Sequence, residues 1–172
     1  MIKAEIERGT LKISPFDESL INPSSLDVRL GQSFYQPEPT YVNIDPTDPL
    51  TFRTQKVGDT TFVLKPGDMV LSSLMEHIEL PKDISAKILG KSSLGRLGLD
   101  NSSVSGWVDA QFKGSLVVEL SNHSKFPIVL TKGMKIGQLI FYKHIPCETG
   151  YLDKPGSKYG NQRGVQGSKG VN

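Results

Sequence analysis

The feature that most limits the fold of this chain is a repeated arrangement of short apolar strands around glycine-containing bends. The segment "TFVLKPGDMVLSS" predicts two strands about Pro66-Gly67, because proline followed by glycine is typical of a type II turn. "FPIVLTKGMKIGQLIFY" repeats the arrangement about Lys132-Gly133, and "VDAQFKGSLVVELSN" predicts a third strand pair bent at Lys113-Gly114. Short strands punctuated in this way are typical of an all-β sandwich or jelly roll.

Helical patterns are nearly absent. Ile2 and Ile6 share one face of a short N-terminal helix, and Gly9 follows where a C-cap glycine is common. The predicted fold is therefore an all-β jelly roll or distorted β-barrel, with this short helix and a few helical turns.

Length and charge exclude several classes of protein. A chain of 172 residues is long enough for one domain with a sizeable core, and its net charge of +2 gives no indication of a nucleic-acid or membrane partner. No apolar run approaches the roughly 20 residues of a membrane-spanning helix, and the start of the chain lacks the apolar stretch of a signal peptide. The single cysteine, Cys147, is typical of a reducing compartment, so we expect a cytoplasmic protein.

The composition changes after Cys147. Residues 148–172 are rich in glycine and poor in apolar side chains, which predicts a flexible tail beyond a domain of residues 1–147. The tail is either a frayed end or a lid that orders over a ligand. For a lid, Lys158 and Arg163 could meet phosphates, and Tyr151 and Tyr159 could cover a ring.

Two short segments imitate known catalytic motifs. "HIELP" at residues 77–81 and "PCETG" at residues 146–150 resemble the signature of zinc-dependent nucleobase deaminases, which needs two cysteines beside a third ligand. With one cysteine in the chain, and Gly150 where the second is needed, only two ligands remain, which is too few for a catalytic zinc of this type, so no zinc cofactor is expected. "GKS" at residues 90–92 resembles the end of a phosphate-binding loop, but Ser85 stands where that motif requires glycine.

A local set of anion-binding side chains survives this elimination. Lys91, Ser92, Ser93 and Arg96 fall within a few residues of one another. Such a set could cradle phosphates, or it could be a solvated basic turn.

Glu119 occupies a central position of the apolar strand "SLVVEL". Side chains alternate along a strand, so Leu116, Val118 and Leu120 take one face, and Val117 and Glu119 take the other. If the second face is open to solvent, Glu119 is an ordinary surface carboxylate. If it lines a pocket, Glu119 is partly desolvated and could exchange protons near neutral pH.

Several blocks of the chain together resemble the dCTP deaminase branch of the trimeric dUTPase superfamily. The blocks are "SSLDVRLG" (24–31), "LPKDISAKILGKSSLGRLGL" (80–99), "GWVDAQFKGSLVVELSN" (106–122), "PIVLTKGMKIGQLIF" (127–141) and "SKYGNQRG" (157–164). The resemblance implies a dUTPase-like jelly-roll subunit, a homotrimer with active sites at subunit interfaces, and zinc-free deamination of dCTP. It also implies that the tail is the active-site lid.

The resemblance also implies roles for individual residues. Glu119 would be the general base that activates water, with Ser92 and Arg96 orienting the water and the base. Lys91 and Ser93 would hold the triphosphate together with magnesium, and Lys91 stands where the family often has arginine. The remaining nucleotide contacts implied are Asp109 on the 3′-hydroxyl, the backbone of Val117 and Val118 on the base edge, and the side chains of Gln138, Tyr151, Lys158 and Gln162.

The chain departs from the family pattern in two places. Val104-Ser105 replaces the usual Thr-Ala, and Ala110-Gln111 replaces the usual Pro-Gly.

Three functions remain open at the level of sequence. The main interpretation is a dCTP deaminase that releases dUTP and ammonia. Gly106-Trp107 resembles the bifunctional branch, which also cleaves dUTP to dUMP and pyrophosphate, with Asp109 positioning the second water. A non-catalytic nucleotide-binding jelly roll is the third, although it would have no need of Glu119, and a pure dUTPase would lack this strand carboxylate.

Overall fold

The structure, a computed structural model, describes residues 2–38, 54–101 and 106–169. Helical structure there is limited to α1 (Ile2–Glu7), a 3₁₀ turn (Glu18–Leu20) and the single turn α2 (Ser92–Gly95). The strands are β1 (Lys12–Ser14), β2 (Leu26–Pro37), β3 (Thr54–Asp59), β4 (Thr61–Leu64), β5 (Met69–Glu79), β6 (Ile84–Gly90), β7 (Leu99–Asn101), β8 (Trp107–Val108), β9 (Lys113–Asn122), β10 (Ile128–Thr131) and β11 (Lys135–Lys143). The predicted all-β fold with a short N-terminal helix is confirmed.

The strands form one curled sheet of the jelly-roll type that branches at β2. One path runs in the order β10-β4-β3-β2-β11-β6-β8. β5 lies off this path and pairs with β1, β2 and β9. The long strand β2 pairs with both β3 and β5, and the register of each of these pairings shifts once along its length. At the crossing, Gly31 has no room for a side chain, since a Cβ there would lie 2.6 Å from the Ser73 carbonyl oxygen.

Each of the three bends seen in the sequence joins two strands whose pairing partners lie elsewhere in the sheet. β4 pairs with β10, β5 with β9, and β11 with β2 and β6, so each bend carries the chain from one part of the sheet to another. The bends at Gly67 and Gly133 lie where the sequence predicts them, with the positive φ of a type II turn (80° and 83°).

The third bend lies earlier than the sequence predicts. The Phe112 N–H donates to the Asp109 carbonyl, so the turn falls at Ala110-Gln111, and Gln111 takes a φ of 65° there. Gly114 is inside β9, and the prediction of a bend at Lys113-Gly114 is wrong. The sequence pattern favours a bend at Gly114, because glycine adopts a positive φ easily. In the structure Gln111 adopts the positive φ instead, and its side chain packs against Gly150.

The core is built from alternating side chains of the strands, as a sheet with one covered face requires. The largest side chains that are fully buried are Leu11, Leu26, Leu30, Phe34, Leu64, Ile78, Ile84, Leu120, Leu130, Ile136 and Leu139. Within the described parts of the chain, no helix is long and apolar enough to cross a membrane.

One buried ion pair supports the branch of the sheet. Glu76 on β5 is 1% exposed, and its two carboxylate oxygens accept from the Arg29 backbone N–H (2.9 Å) and the Arg29 Nε–H (2.8 Å). These bonds continue the contact between β2 and β5 beyond the Leu30–Leu74 pair, where the ladder ends. They also neutralise the buried carboxylate.

A second buried carboxylate fastens α1 to the sheet. Glu5 accepts from Lys143 Nζ of β11 (2.7 Å), from the Thr10 hydroxyl (2.6 Å) and from the Arg8 guanidinium (2.8 Å). The hydrogen bonds from Lys143 and Thr10 lower the pKa of Glu5 from 4.5 to about 2, against the opposing effect of burial.

We expect Glu5→Gln to lower the melting temperature at pH 7, because the charged carboxylate stabilises the fold once its unfolded-state pKa is exceeded. That contribution is lost as the pH falls from about 4.5 towards 2, where the folded carboxylate becomes protonated. The difference in melting temperature between wild type and variant should therefore shrink over this range. Glu18→Gln, an exposed carboxylate paired with Lys3, is the control and should show a small difference throughout. A difference for Glu5→Gln that stays constant down to pH 2 would contradict the assignment.

Candidate active site

A cavity of about 530 Å³ opens between β5, β8, β9 and the tail. Its wall combines residues of the barrel with aromatic and amide side chains of the tail. The lining residues are Pro37, Thr54, Met69, Leu71, Trp107, Val108, Asp109, Phe112, Leu116, Val117, Glu119, Tyr151, Tyr159, Gln162, Gln166, Gly167 and Ser168. The volume is within the usual range of small-molecule sites.

Glu119 faces this cavity because its neighbours on β9 are anchored in the core. Val118 and Leu120 are fully buried, so alternation turns the intervening Glu119 to the opposite face. Leu71, directly across the β5–β9 ladder, lines the cavity beside it. Within the described residues, the half-buried Glu119 carboxylate has no hydrogen bond or ion pair, so it can engage a ligand or a water molecule.

One edge of β9 is open beside Glu119. β7 pairs with β9 only at residues 120–122, and Gln162 bridges it at Gly114, so the described strands leave residues 116–119 without a partner on this edge. The N–H groups of Ser115 and His123 point to this edge, since they donate to Gln162 and Gly98. By alternation the N–H and C=O of Val117 point there too. The backbone of Val118 instead faces β5, and its side chain lies in the core.

Asp109 and Trp107 form the rim of the cavity next to the third bend. The exposed Asp109 carboxylate accepts a hydrogen bond from Trp107 Nε1 (3.0 Å), and the Trp107 ring packs against Tyr142. Gly106 precedes them against β6, where a Cβ would lie 2.6 Å from the Ile88 carbonyl oxygen. Val104-Ser105, the other departure noted in the sequence, lies outside the described residues.

The first part of the tail is fastened to the barrel. The Tyr151 N–H donates to the Ala110 carbonyl (2.9 Å), its ring packs on Phe112, and Asp153 forms an ion pair with Lys82 (2.7 Å). The hydrogen bond from Lys82 lowers the pKa of Asp153, so this ion pair is charged at neutral pH. The tail thus leaves the barrel from a defined point at the cavity rim.

The second part of the tail covers the cavity through Gln162. Its Nε2 donates to the Ser115 carbonyl (2.7 Å), and the Ser115 N–H donates to its backbone carbonyl (3.0 Å). Gln162 is 5% exposed, and its Oε1 has no hydrogen-bond partner. A buried amide oxygen in a cavity wall costs free energy unless a ligand or water donates to it. The Tyr159 N–H in turn donates to the Tyr151 hydroxyl (2.9 Å).

The other predicted site residues do not line this cavity. Ser92, Ser93 and Arg96 are exposed on and just after α2. Lys91 and Gln138 both lie beside Asp27 of β2. Asp27 is the cross-strand neighbour of Gln138, and its carboxylate accepts a hydrogen bond from Lys91 Nζ (2.7 Å). Lys158 lies in the tail, where its carbonyl accepts from Lys169 Nζ.

Asp27 is a residue of this second group that sequence reasoning missed. It is 4% exposed, and it also accepts from Asn22 Nδ2 (3.0 Å) and pairs with Lys135 (3.2 Å). Burial would raise the pKa of Asp27, but the hydrogen bonds from Lys91, Asn22 and Lys135 outweigh it and hold the pKa below its ordinary value. The available signal was a carboxylate inside an apolar strand, "LDVRL", which is the pattern that drew attention to Glu119.

His77 and Glu79, two residues of the zinc-like segments, lie next to each other in the structure. His77 lies 3.7 Å from Glu79, an ordinary surface contact. Across residues 2–38, 54–101 and 106–169, no three His, Cys, Asp or Glu side chains gather as a metal centre requires.

Fold and site together define a jelly-roll protein with a cavity of small-molecule size, a half-buried carboxylate in the cavity wall and a separate group of basic side chains. Within that class the chain belongs to the family described as dCTP deaminase-like, whose sequence model matches residues 1–144. The resemblance seen in the sequence is confirmed.

Two proteins that are similar to this chain over nearly its full length carry the same name. A protein of Streptomyces avermitilis named "dCTP deaminase, dUMP-forming" is 45% identical over 98% of this chain and 91% of its own length. Its namesake in Mycobacterium bovis is 45% identical, over 98% and 92%. The crystal structure of 2′-deoxycytidine 5′-triphosphate deaminase from Agrobacterium tumefaciens superposes with a TM-score of 0.63 at 30% identity, covering 81% of this chain and 46% of that chain.

The contact between Gly114 and Gln162 allows a test of how the tail is held. A Cβ on Gly114 would lie 3.0 Å from the Gln162 carbonyl oxygen and 3.2 Å from its nitrogen. We expect Gly114→Ala to separate the tail from β9, which limited trypsin digestion would detect as faster cleavage after Lys158 and Arg163. Gly9→Ala is the matched control: it also has a positive φ, but nothing lies within 4 Å of its Cβ position. Equal cleavage rates for the two variants would show that Gly114 does not control the docking of the tail.

Proposed function

We propose that this protein is a dCTP deaminase that hydrolyses the 4-amino group of dCTP. The observation that carries the proposal is the Glu119 carboxylate, which lies in the cavity wall without a partner among the described residues. The open backbone edge of Val117 beside it suits the donor and acceptor pattern of a base edge. The names of the similar proteins support the same reaction.

In this reaction Glu119 acts as the general base. It takes a proton from a water molecule, whose oxygen attacks C4 of cytosine to form a tetrahedral intermediate. Protons then pass to N3 and to the amino group, the C4–N4 bond breaks, and ammonia leaves with the formation of the uracil ring. A positioned acid–base group contributes typically 10² to 10⁴ in rate.

We propose that the complete site forms in a homotrimer. In one chain, the cavity residues Asp109 and Glu119 and the α2 residues Ser92 and Arg96 belong to separate surfaces. A neighbouring copy that places its α2 against the cavity would bring Ser92 and Arg96 to Glu119, and Lys91 and Ser93 to the phosphates. Serine and arginine donors there would orient water and stabilise developing negative charge.

We propose that the reaction continues to dUMP and pyrophosphate. The similar proteins from Streptomyces and Mycobacterium are named as dUMP-forming, and Gly106-Trp107 precedes Asp109 here. Asp109 is exposed at the cavity rim, where it could position a second water for attack on the α-phosphate. Its hydrogen bond from Trp107 fixes the orientation of the carboxylate.

Magnesium would arrive as part of the substrate complex. The triphosphate supplies oxygen ligands of the kind that magnesium prefers, and Lys91, Ser93 and Arg96 would contact the phosphates from outside. Lys158 in the tail is a further candidate for these contacts, and Tyr151 and Gln162 would close over the sugar and the base.

We expect Glu119→Gln to keep dCTP binding and to lose ammonia release by roughly two to four orders of magnitude, since the amide has the same shape but cannot accept the proton. Ammonia release measured with a coupled assay, and dCTP binding measured by calorimetry, would separate these effects. Glu7→Gln, an exposed carboxylate on α1, is the control. Ammonia release near the wild-type rate in Glu119→Gln would exclude this residue as the base.

The products of dCTP distinguish the candidate functions. Incubation with dCTP and magnesium, followed by ion-exchange chromatography, should give dUMP, pyrophosphate and ammonia. Accumulation of dUTP would show a deaminase without the second step, and unchanged dCTP would favour a non-catalytic nucleotide-binding protein.

A further inference from the structure

The Asp27 carboxylate holds two lysines from different parts of the chain. Its Oδ1 lies 2.7 Å from Lys91 Nζ, at the end of β6, and its Oδ2 lies 3.2 Å from Lys135 Nζ, at the start of β11. Because the two oxygens of one carboxylate are bound, the two ammonium groups are held side by side. Asn22 Nδ2 also donates to Oδ1 (3.0 Å), which further fixes the carboxylate.

Asp27 is in direct contact with two ammonium groups, those of Lys91 and Lys135. The next cation on β2, Arg29, pairs with Glu76 (2.8 Å) and lies 3.9 Å from Asp17, so it does not share Asp27. Asp17 is also within electrostatic reach of Lys135, so three cations face three carboxylates in this region. Asp27 is buried, whereas the side chain of Lys91 is 26% exposed and that of Lys135 is 50% exposed. The two lysine side chains, and not the carboxylate that holds them, are therefore the parts of the cluster that a ligand can reach.

A lysine at position 91 gains from such a support. An ammonium group on a flexible stem is a point charge, and it lacks the rigid fork by which arginine grips a phosphate. A buried carboxylate that holds Nζ at 2.7 Å restricts that stem before any ligand arrives. Preorganisation of this kind improves affinity by lowering the entropy lost on binding.

We propose that Lys135 is a further binding residue for the triphosphate, and that Asp27 is the positioning residue that sets Lys135 and Lys91 side by side. The proposal rests on the proposed function, because it concerns the phosphates of the same substrate. Lys91 and Lys135 together contact the phosphates, and Gln138, the cross-strand neighbour of Asp27, borders the same cluster.

Lys135→Gln should raise KM for dCTP about tenfold, the usual effect of losing a hydrogen bond to a charged group, while kcat stays within about twofold. Affinity for inorganic tripolyphosphate with magnesium, measured by calorimetry, should fall by a similar factor. Lys132→Gln is the matched control, a lysine of the preceding turn that donates to Gln32. Values for Lys135→Gln equal to those of Lys132→Gln would overturn the binding role.

A double-mutant cycle tests the positioning role. Asp27→Asn should raise KM by itself, and it should add almost nothing to a variant that already lacks both lysines (Lys91→Gln with Lys135→Gln). An independent and fully additive loss would mean that Asp27 acts on the fold and not through the lysines. If wild type fails to deaminate dCTP, the proposed function fails. The tripolyphosphate titrations still test the cluster in that case.

Discussion

The pairing of β9 with β5 is the constraint on which both the fold and the site depend. β9 carries Val118 and Leu120 into the core, and this burial holds the strand in one register against β5. A shift by one residue would bury Glu119 and expose both apolar neighbours, so the hydrophobic effect itself fixes the direction of the carboxylate. The same strand keeps one edge open at Val117, and it accepts the tail at Gly114. Core packing and site geometry are therefore consequences of a single register.

Carboxylates with different surroundings perform different tasks in this molecule. Glu76, Glu5 and Asp27 are buried, and each is satisfied by cations or hydrogen-bond donors, so each joins elements of the fold. Glu119 is half-buried and has no partner among the described residues, which is the arrangement that the proposed proton transfer requires. The separation follows from the cost of burying an unpaired charge: a structural carboxylate must be paired, and a catalytic one must retain access to its ligand.

The bends explain how far sequence patterns could predict the fold. The turns at Gly67 and Gly133 could be placed because a positive φ is easily adopted by glycine. The third turn does not lie at the predicted glycine, because Gln111 takes the positive φ there. The Gln111 side chain packs against Gly150, where no Cβ would fit. Gly114 serves a different purpose, which is the close approach of the Gln162 backbone. Local preference identifies that a glycine is needed, but only the packed chain shows whether a turn or a neighbour requires it.

The sequence by itself determined the all-β class, the short N-terminal helix, the alternation that isolates Glu119 and, through its resemblance, the family. These follow from local periodicity and from blocks of residues that are contiguous in the chain. Only the tertiary structure decided that Glu119 lines a cavity, that Asp27 joins Lys91 to Lys135, and that the predicted site residues fall on two surfaces. Those relations join residues far apart in sequence, and they are set by strand register and layer packing, to which no local pattern in the chain corresponds.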